Sequence, residues 1–173
     1  MTDIEPAAWQ DRPAWSRTRL EDAGFEGWVT FRELPARLPT IDRVGGVYVV
    51  VNAVGSPGFL GASPAGRFKD RDPSVSEDVL RANWVEDAAV VYIGKADDLR
   101  RRLREFMRFG SGEPVGHWGG RLIWQLSDSR SLLVAWRVTA GQVPREVEVA
   151  MIDAFRDAWG KPPFANEPHR LGL

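Results

Sequence analysis

Apolar positions along this chain fall into short, sharply bounded runs. Gly46-Val47-Tyr48-Val49-Val50-Val51 is an uninterrupted β-branched and aromatic stretch behind a glycine pair, the pattern of a buried strand. Ala88 to Ile93 repeats that pattern and stops at Gly94, which predicts a second buried strand. Leu122 to Leu126 and Leu132 to Val138 flank Ser127-Asp128-Ser129-Arg130 and read as a hairpin. Helical spacing governs two other regions. Leu99, Leu103 and Phe106 share one stripe behind a capping Asp97, and Gly110 and Gly112 close that helix near Phe109. Val147, Met151, Ala154, Phe155 and Ala158 form the core face of a last helix, which opens at Pro144 and runs to Trp159. Gly160, Pro162 and Pro163 stop it.

Residues 1 to 40 read as a lead-in that packs on the core, with a short helix from Trp15 to Ala23. Phe25, Trp28, Phe31 and Leu34 follow at helix-like spacing, interrupted by Gly24 and Gly27. Residues 52 to 88 separate the first two strands. Gly55, Pro57, Gly58, Gly61, Pro64 and Gly66 mark a turn-rich loop there, and a capping box from Ser74 to Glu77 starts a short helix through Val79, Leu80 and Trp84. The order of elements predicts a single α+β domain over residues 1–173. Its small, mainly antiparallel sheet is flanked by helices, with 52–88 inserted between the first two core strands.

Composition narrows the chemistry. A chain of 173 residues, 43% hydrophobic and carrying eight tryptophans, can bury a real core. The absence of cysteine removes thiolate zinc sites and cysteine nucleophiles and is consistent with a reducing cytoplasm. Met1 to Pro6 shows no export signal, and no apolar run approaches a membrane span, so the expected location is cytoplasmic. The two histidines, His117 and His169, are far apart, which argues against a histidine-rich metal site. With a formal net charge of -1, any nucleic-acid binding must use locally concentrated positive charge.

Several residues stand out against that background. The only tyrosines, Tyr48 and Tyr92, each sit in a predicted buried strand beside glycine, in Gly46-Val47-Tyr48 and Tyr92-Ile93-Gly94. Core tyrosines with rim hydroxyls would look the same. Arg102 lies about 40° from Phe106 at the edge of the buried stripe, whereas Arg100, Arg101, Arg104 and Arg108 point to the solvent side. A guanidinium there needs an anionic partner, either a phosphate or a structural carboxylate. Glu148 falls within about 20° of both Phe155 and Trp159, on the apolar side of the last helix. It must be paired, protonated or bound to a metal, and a salt bridge to Arg102 is one option.

The paired tyrosine tripeptides resemble the signature of the GIY-YIG nuclease superfamily, with Val47 in place of the usual isoleucine. Lys95-Ala96-Asp97-Asp98-Leu99-Arg100-Arg101-Arg102-Leu103 resembles that family's second strand entering its first helix. Glu148 followed by Val149, Ala150, Met151 and Ile152 resembles its metal-binding glutamate, and Pro162-Pro163-Phe164-Ala165-Asn166 is similar to its terminal Pro-x-x-Asn region. The long insert points to a restriction-endonuclease-like or uncharacterised bacterial branch. Where several members carry a histidine or tyrosine one turn after the arginine, this chain has Phe106. His117, in Gly116-His117-Trp118-Gly119-Gly120, is a candidate for the missing group, although a loop histidine among tryptophan and glycine is more often structural.

The resemblance implies a metal-dependent endonuclease that cuts DNA, with Tyr48, Tyr92, Arg102, Glu148 and Asn166 as catalytic residues and Lys95 and His117 as further candidates. Glu148 would hold Mg²⁺ or Mn²⁺, and Arg102 would face the non-bridging oxygens. Tyr48 would take the proton of the attacking water with help from Tyr92. An ordinary phenol pKa near 10 then requires a nearby cation such as Lys95 or Arg102. Lys95, Arg100, Arg101 and Arg104 on the helix, and Arg67, Lys69 and Arg71 in the insert, are the candidate nucleic-acid contacts; ordinary solvated faces would look alike. The insert also offers an arm for a homodimer. Two alternatives remain open: an inactive domain of the same fold that binds nucleic acid or protein, and a structural protein with these groups in its core.

Overall fold

The computed structural model describes residues 9–55 and 58–167; the segment Met1 to Pro6, Pro57 and His169 lie outside them. Four strands, β1 (Glu26–Thr30), β2 (Gly46–Val51), β3 (Val90–Ala96) and β4 (Leu133–Val138), form one sheet in the order β1-β4-β2-β3. Every neighbouring pair is antiparallel. Five α-helices accompany the sheet: α1 (Arg17–Asp22), α2 (Leu34–Arg37), α3 (Glu77–Asn83), α4 (Leu99–Gly110) and α5 (Pro144–Trp159). The chain is therefore α+β, a small antiparallel sheet flanked by helices. No described helix is long and apolar enough to cross a membrane.

The unbroken apolar run of β2 reflects burial on both faces. Alternation sends Tyr48 and Val50 to one side, against Leu99, Leu103, Phe106 and Phe109 of α4. Val47, Val49 and Val51 go to the other, against Val147, Met151, Ile152 and Phe155 of α5 and the N-terminal Trp9, Trp15 and Leu20. β3 carries a bulge at Val91, because Val50 pairs with Tyr92 while Val51 pairs with Val90. Tyr48 lies directly opposite Gly94 in this ladder. The ring needs that glycine, since a methyl group on Gly94 would run into the Tyr48 ring and hydroxyl.

Several elements differ from the sequence expectation. Residues Leu122 to Leu126 are not a strand; Leu122 to Gln125 belong to a 3-10 helix, Trp118–Gln125, and Leu126 caps it and forms a single bridge with Phe59. β4 already has β1 on one side and β2 on the other, so no edge is left for a hairpin partner. A short apolar run cannot by itself distinguish a strand from a buried helical turn. The helix-like spacing of Phe25, Trp28, Phe31 and Leu34 gives the strand β1 instead. Gly27 (φ 99) and Trp28 (φ 52) take left-handed conformations at a register shift against β4, which no α-helix accommodates. Ser76, not Ser74, caps α3, and the Ser74 hydroxyl instead accepts from Ser63 N–H at 2.9 Å. Asp98, not Asp97, caps α4 through Arg101 N–H at 2.8 Å. β3 continues past Gly94 to Ala96.

The segment between β2 and β3 is bound down at both ends. Gly66 N–H donates to Phe109 O at 2.8 Å, so close that a Cβ on Gly66 would collide with the Glu113 backbone. Further on, the Gln125 amide accepts from Val75 N–H at 2.8 Å and donates to Val75 O at 2.9 Å and Leu60 O at 3.1 Å. Arg121 joins the same region to the chain end, donating to Pro73 O at 3.0 Å and pairing with the buried Glu167 at 2.6 Å.

Replacing Gly94 by alanine should cost about 1–3 kcal/mol of stability by overpacking against Tyr48. Gly61→Ala, where a Cβ meets nothing, should stay within about 0.5 kcal/mol of wild type. Urea midpoints of the two variants check this; equal midpoints would remove the steric account of the Tyr-Ile-Gly motif.

Candidate active site

β3 lies at one edge of the sheet, and no further strand among the described residues covers its outer backbone groups. They are satisfied from elsewhere in the chain. Val91 O accepts from Ala165 N–H at 2.9 Å. Ile93 N–H donates to Asn166 Oδ1 at 2.9 Å, and Asn166 Nδ2 returns a bond to Ile93 O at 2.8 Å. Two residues further along, the Lys95 backbone and ammonium face the carboxylate of Glu148 and help hold its pKa down. The two-residue period of a strand thus aligns Asn166 and Glu148 on one edge.

Because β3 is an edge, α4 from one face and α5 from the other both reach past it. Between them is an open cleft of about 370 Å³ lined by Tyr92, Lys95, Arg102, Glu105, Gly119 and Glu148 among others. Residues far apart in sequence therefore meet at one place. Arg102 is partly exposed there; its Nη1 donates to Gly116 O at 2.9 Å and lies 3.4 Å from Glu105 Oε2. The guanidinium also lies near enough to the Tyr48 hydroxyl for the two to interact electrostatically. Its carboxylate partner is Glu105, and no Arg102–Glu148 salt bridge forms.

Tyr48 stands behind this cleft rather than in it. It is wholly buried, with its ring 6.0 Å from that of Tyr92 and its hydroxyl 3.3 Å from His117 Nε2. His117 is also wholly buried and stacks on Phe106 at 3.9 Å between ring centres and 16° between planes. A loop residue thus brings an imidazole beside the Phe106 ring. Gly119 and Gly120 leave room for this packing, since a Cβ at Gly120 would press on Phe106 and Tyr92. His117 Nδ1 has no hydrogen-bond partner among the described residues.

Burial dominates the electrostatics. It raises the Tyr48 phenol well above its ordinary pKa, Tyr92 adds to the rise, and Arg102 only opposes it. The nearby cation therefore does not make Tyr48 a phenolate at neutral pH, contrary to the sequence expectation. Burial, reinforced by Arg102, pushes His117 well below its usual range, so the ring is neutral. Burial also raises Glu148, while the Lys95 ammonium and Lys95 N–H hold the carboxylate partly in check.

The other sequence candidates divide by partner. Asn166 spends both ends of its amide on Ile93, so it positions β3 and does not line the cleft. Arg100 turns away from solvent to donate to Ile41 O at 2.7 Å and Pro39 O at 2.9 Å, fastening the turn before β2. Arg101 lines the cleft 3.9 Å from Glu105, Lys95 lies 3.3 Å from Asp97, and Arg104 is exposed. Arg67, Lys69 and Arg71 lie outside the cleft lining, with Arg67 paired to Asp72 at 2.9 Å. Sequence reasoning missed Glu105 and Gly119. The helical i,i+3 relation to Arg102 was the available sign for Glu105; nothing local marks Gly119. Compared with protein-family models, curated proteins and solved structures, the chain matches none.

Asn166→Ala strips both bonds from Ile93 and should cost on the order of 1–3 kcal/mol in a urea titration; a wild-type midpoint would refute the edge-strand role. The two titrating groups act on stability in opposite senses. The folded pKa of His117 lies below its unfolded 6.5, so its contribution is complete above pH 6.5 and lost as pH falls through the folded value. His117→Phe should therefore flatten the decline of Tm below pH 6.5. The folded pKa of Glu148 lies above its unfolded 4.5, so its contribution is complete below pH 4.5 and lost as pH rises through the folded value. Glu148→Gln should melt above wild type at neutral pH, and a lower Tm would contradict this assignment.

Proposed function

We propose that the chain is a divalent-metal-dependent phosphodiesterase, an endonuclease of the GIY-YIG type acting on DNA. One observation carries the reading: Tyr92, Lys95, Arg102 and Glu148 line one open cleft although they come from a strand and two helices on opposite faces of the sheet. A core packed for stability alone has no reason to gather a phenol, two cations and a carboxylate around open space.

Glu148 fits a hard cation. It is half-buried, forms no ion pair with a described residue, and is raised by burial, so a cation beside it relieves its desolvation. The cleft's other carboxylates are engaged: Asp97 with Lys95, Asp98 with Arg43 and the α4 cap, Glu105 with Arg102. One carboxylate, with water and phosphate oxygens completing the shell, suits Mg²⁺ or Mn²⁺. When bound, the ion supplies Lewis-acid stabilisation of the leaving oxygen.

The chain's own residues supply the rest. Arg102 exchanges Glu105 for the non-bridging oxygens of the substrate, where negative charge develops. Lys95 adds a second cation at the same rim. Tyr92 is the phenol facing the cleft, so it takes the proton of the attacking water. Its own proton passes to Tyr48, and the Tyr48 proton passes to His117 Nε2. Each hydroxyl gains one proton as it loses one, so neither phenol has to become a phenolate, and the imidazole ends as the cation. The neutral His117 imidazole is free to accept at Nε2, but burial and Arg102 disfavour the imidazolium, so the proton rests there only while negative charge develops on the phosphoryl oxygens that engage Arg102. The roles of the two tyrosines are thus exchanged relative to those the resemblance implies. Asn166 acts by holding β3 in place.

The burial of Tyr48 and the Arg102–Glu105 contact favour a second reading, a domain that binds phosphodiesters through Arg102 without cutting them. Supercoiled plasmid incubated with Mg²⁺ or Mn²⁺ separates the two. The nuclease reading expects nicking that EDTA abolishes, with Arg102→Ala and Glu148→Gln each slower by about 10²–10³-fold while remaining folded. His117→Ala should lose roughly 10²-fold or more. Binding without cleavage under either metal would assign the second reading instead.

A further inference from the structure

The turn Phe68–Arg71 stands beside the cleft and has no role in the chemistry just described. Lys69 (φ 52) and Asp70 (φ 58) both take left-handed backbone conformations, and Phe68 and Arg71 close the turn as a bridged pair with Arg71 N–H on Phe68 O at 3.2 Å. Left-handed turns of this kind favour glycine or asparagine, yet the tip here carries Lys69, whose ammonium lies 5.5 Å from the centre of the Phe68 ring.

The turn is also firmly mounted. Gly66 is fastened to Phe109 on one side, and Pro73 to Arg121 on the other. Phe68 packs on Gly116, where an added Cβ would meet its ring at 3.4 Å. The Arg71 guanidinium lies 5.8 Å from the centre of the Trp118 ring, and Arg121 lies 4.9 Å from the same ring. Gly116 is the residue whose carbonyl receives Arg102, and Gly119 lines the cleft. One short segment, residues 116–119 at the start of the 3-10 helix, therefore carries the turn on one side and the cleft on the other.

The charges on the turn are not equivalent. Arg67 is neutralised by Asp72 at 2.9 Å. Lys69 and Arg71 are exposed and form no ion pair with a described residue. We infer that Lys69 and Arg71, backed by Trp118, form a fixed contact for the phosphate backbone of a nucleic-acid strand that runs on from the cleft. Two cations without ion pairs among the described residues, against the one exposed carboxylate of Asp70 between them, stand beside a polar cleft on a chain of net charge -1 and match a repeating polyanion whose next phosphates lie beyond the one in the cleft. The inference deepens the phosphodiesterase reading by locating the flanking contacts, but its test measures binding alone.

The experiment is fluorescence anisotropy of a labelled DNA duplex and of the matching single strand, in EDTA, across a salt series. Lys69→Ala/Arg71→Ala should weaken binding and lower the slope of log K against log salt by about 2, one per lost phosphate contact. Arg17→Ala/Arg19→Ala, at a distance in α1, removes the same charge and should leave the slope unchanged. The larger change in slope, with duplex or with single strand, identifies the form held. Equal slopes for wild type and the turn variant, equal losses in both double variants, or equally strong displacement by poly-glutamate would overturn the inference. The two ideas fail separately. Tip-dependent binding with no plasmid cleavage sinks the nuclease and spares the turn; cleavage of plasmid with no rise in KM in the turn variant does the reverse.

Discussion

The outer edge of β3 is the constraint around which the molecule is organised. An exposed strand edge presents unpaired N–H and C=O groups, a liability for any small sheet. Here the chain after α5 folds back to cover it. Gly160 (φ 81) ends the helix in a left-handed cap, Phe164 enters the core, and Ala165 and Asn166 bond to Val91 and Ile93. The Asn166 amide offers one acceptor and one donor at the spacing of a paired strand residue. Since Lys95 lies on the same edge, the same arrangement sets its backbone and ammonium against the Glu148 carboxylate. The helix carrying the carboxylate is thereby held against the strand carrying the phenol.

A second constraint works against the first. Tyr48, Tyr92, His117 and Arg102 bring polar atoms to the α4 face, next to Phe106, Phe31 and Trp124. Polar groups at such a depth are tolerable if neutral and hydrogen-bonded, and costly otherwise. The protonated Tyr48 phenol, bonded to His117 Nε2, meets that requirement, whereas the neutral His117 ring meets it at Nε2 and leaves Nδ1 without a partner among the described residues. Arg102 meets it by reaching outward to Gly116 O and Glu105. The buried polar chain and the open cleft are thus two sides of one arrangement, with Arg102 and Tyr92 at the boundary.

Glycine makes this proximity possible at particular points. Gly94 admits the Tyr48 ring across the ladder, Gly120 admits Phe106 and Tyr92, and Gly46 lets Leu99 approach the strand. In the first and last of these the glycine lies in a tyrosine tripeptide. The motif is therefore readable as steric necessity, whatever chemistry the tyrosines perform.

Periodicity settled much from the sequence alone. The all-buried run of β2, the stripe of α4 and the full extent of α5 were legible because each depends on which faces an element buries, and that is written locally. The unusual positions of Arg102 and Glu148 were legible for the same reason, as charges close to apolar stripes. Other features depended on partners that lie far away in the chain. Leu122 to Gln125 became a 3-10 helix because β1 and β2 take both sides of β4; residues 26–30 became a strand by taking one of those sides. Arg102 took Glu105 rather than Glu148, Asn166 took a backbone rather than a substrate, and Tyr48 was sealed while Tyr92 stayed at the cleft. Local pattern specifies what each segment must hide. Which groups then satisfy one another is decided only when the whole sheet closes, because hydrogen bonds and burial are shared between segments that the sequence keeps apart.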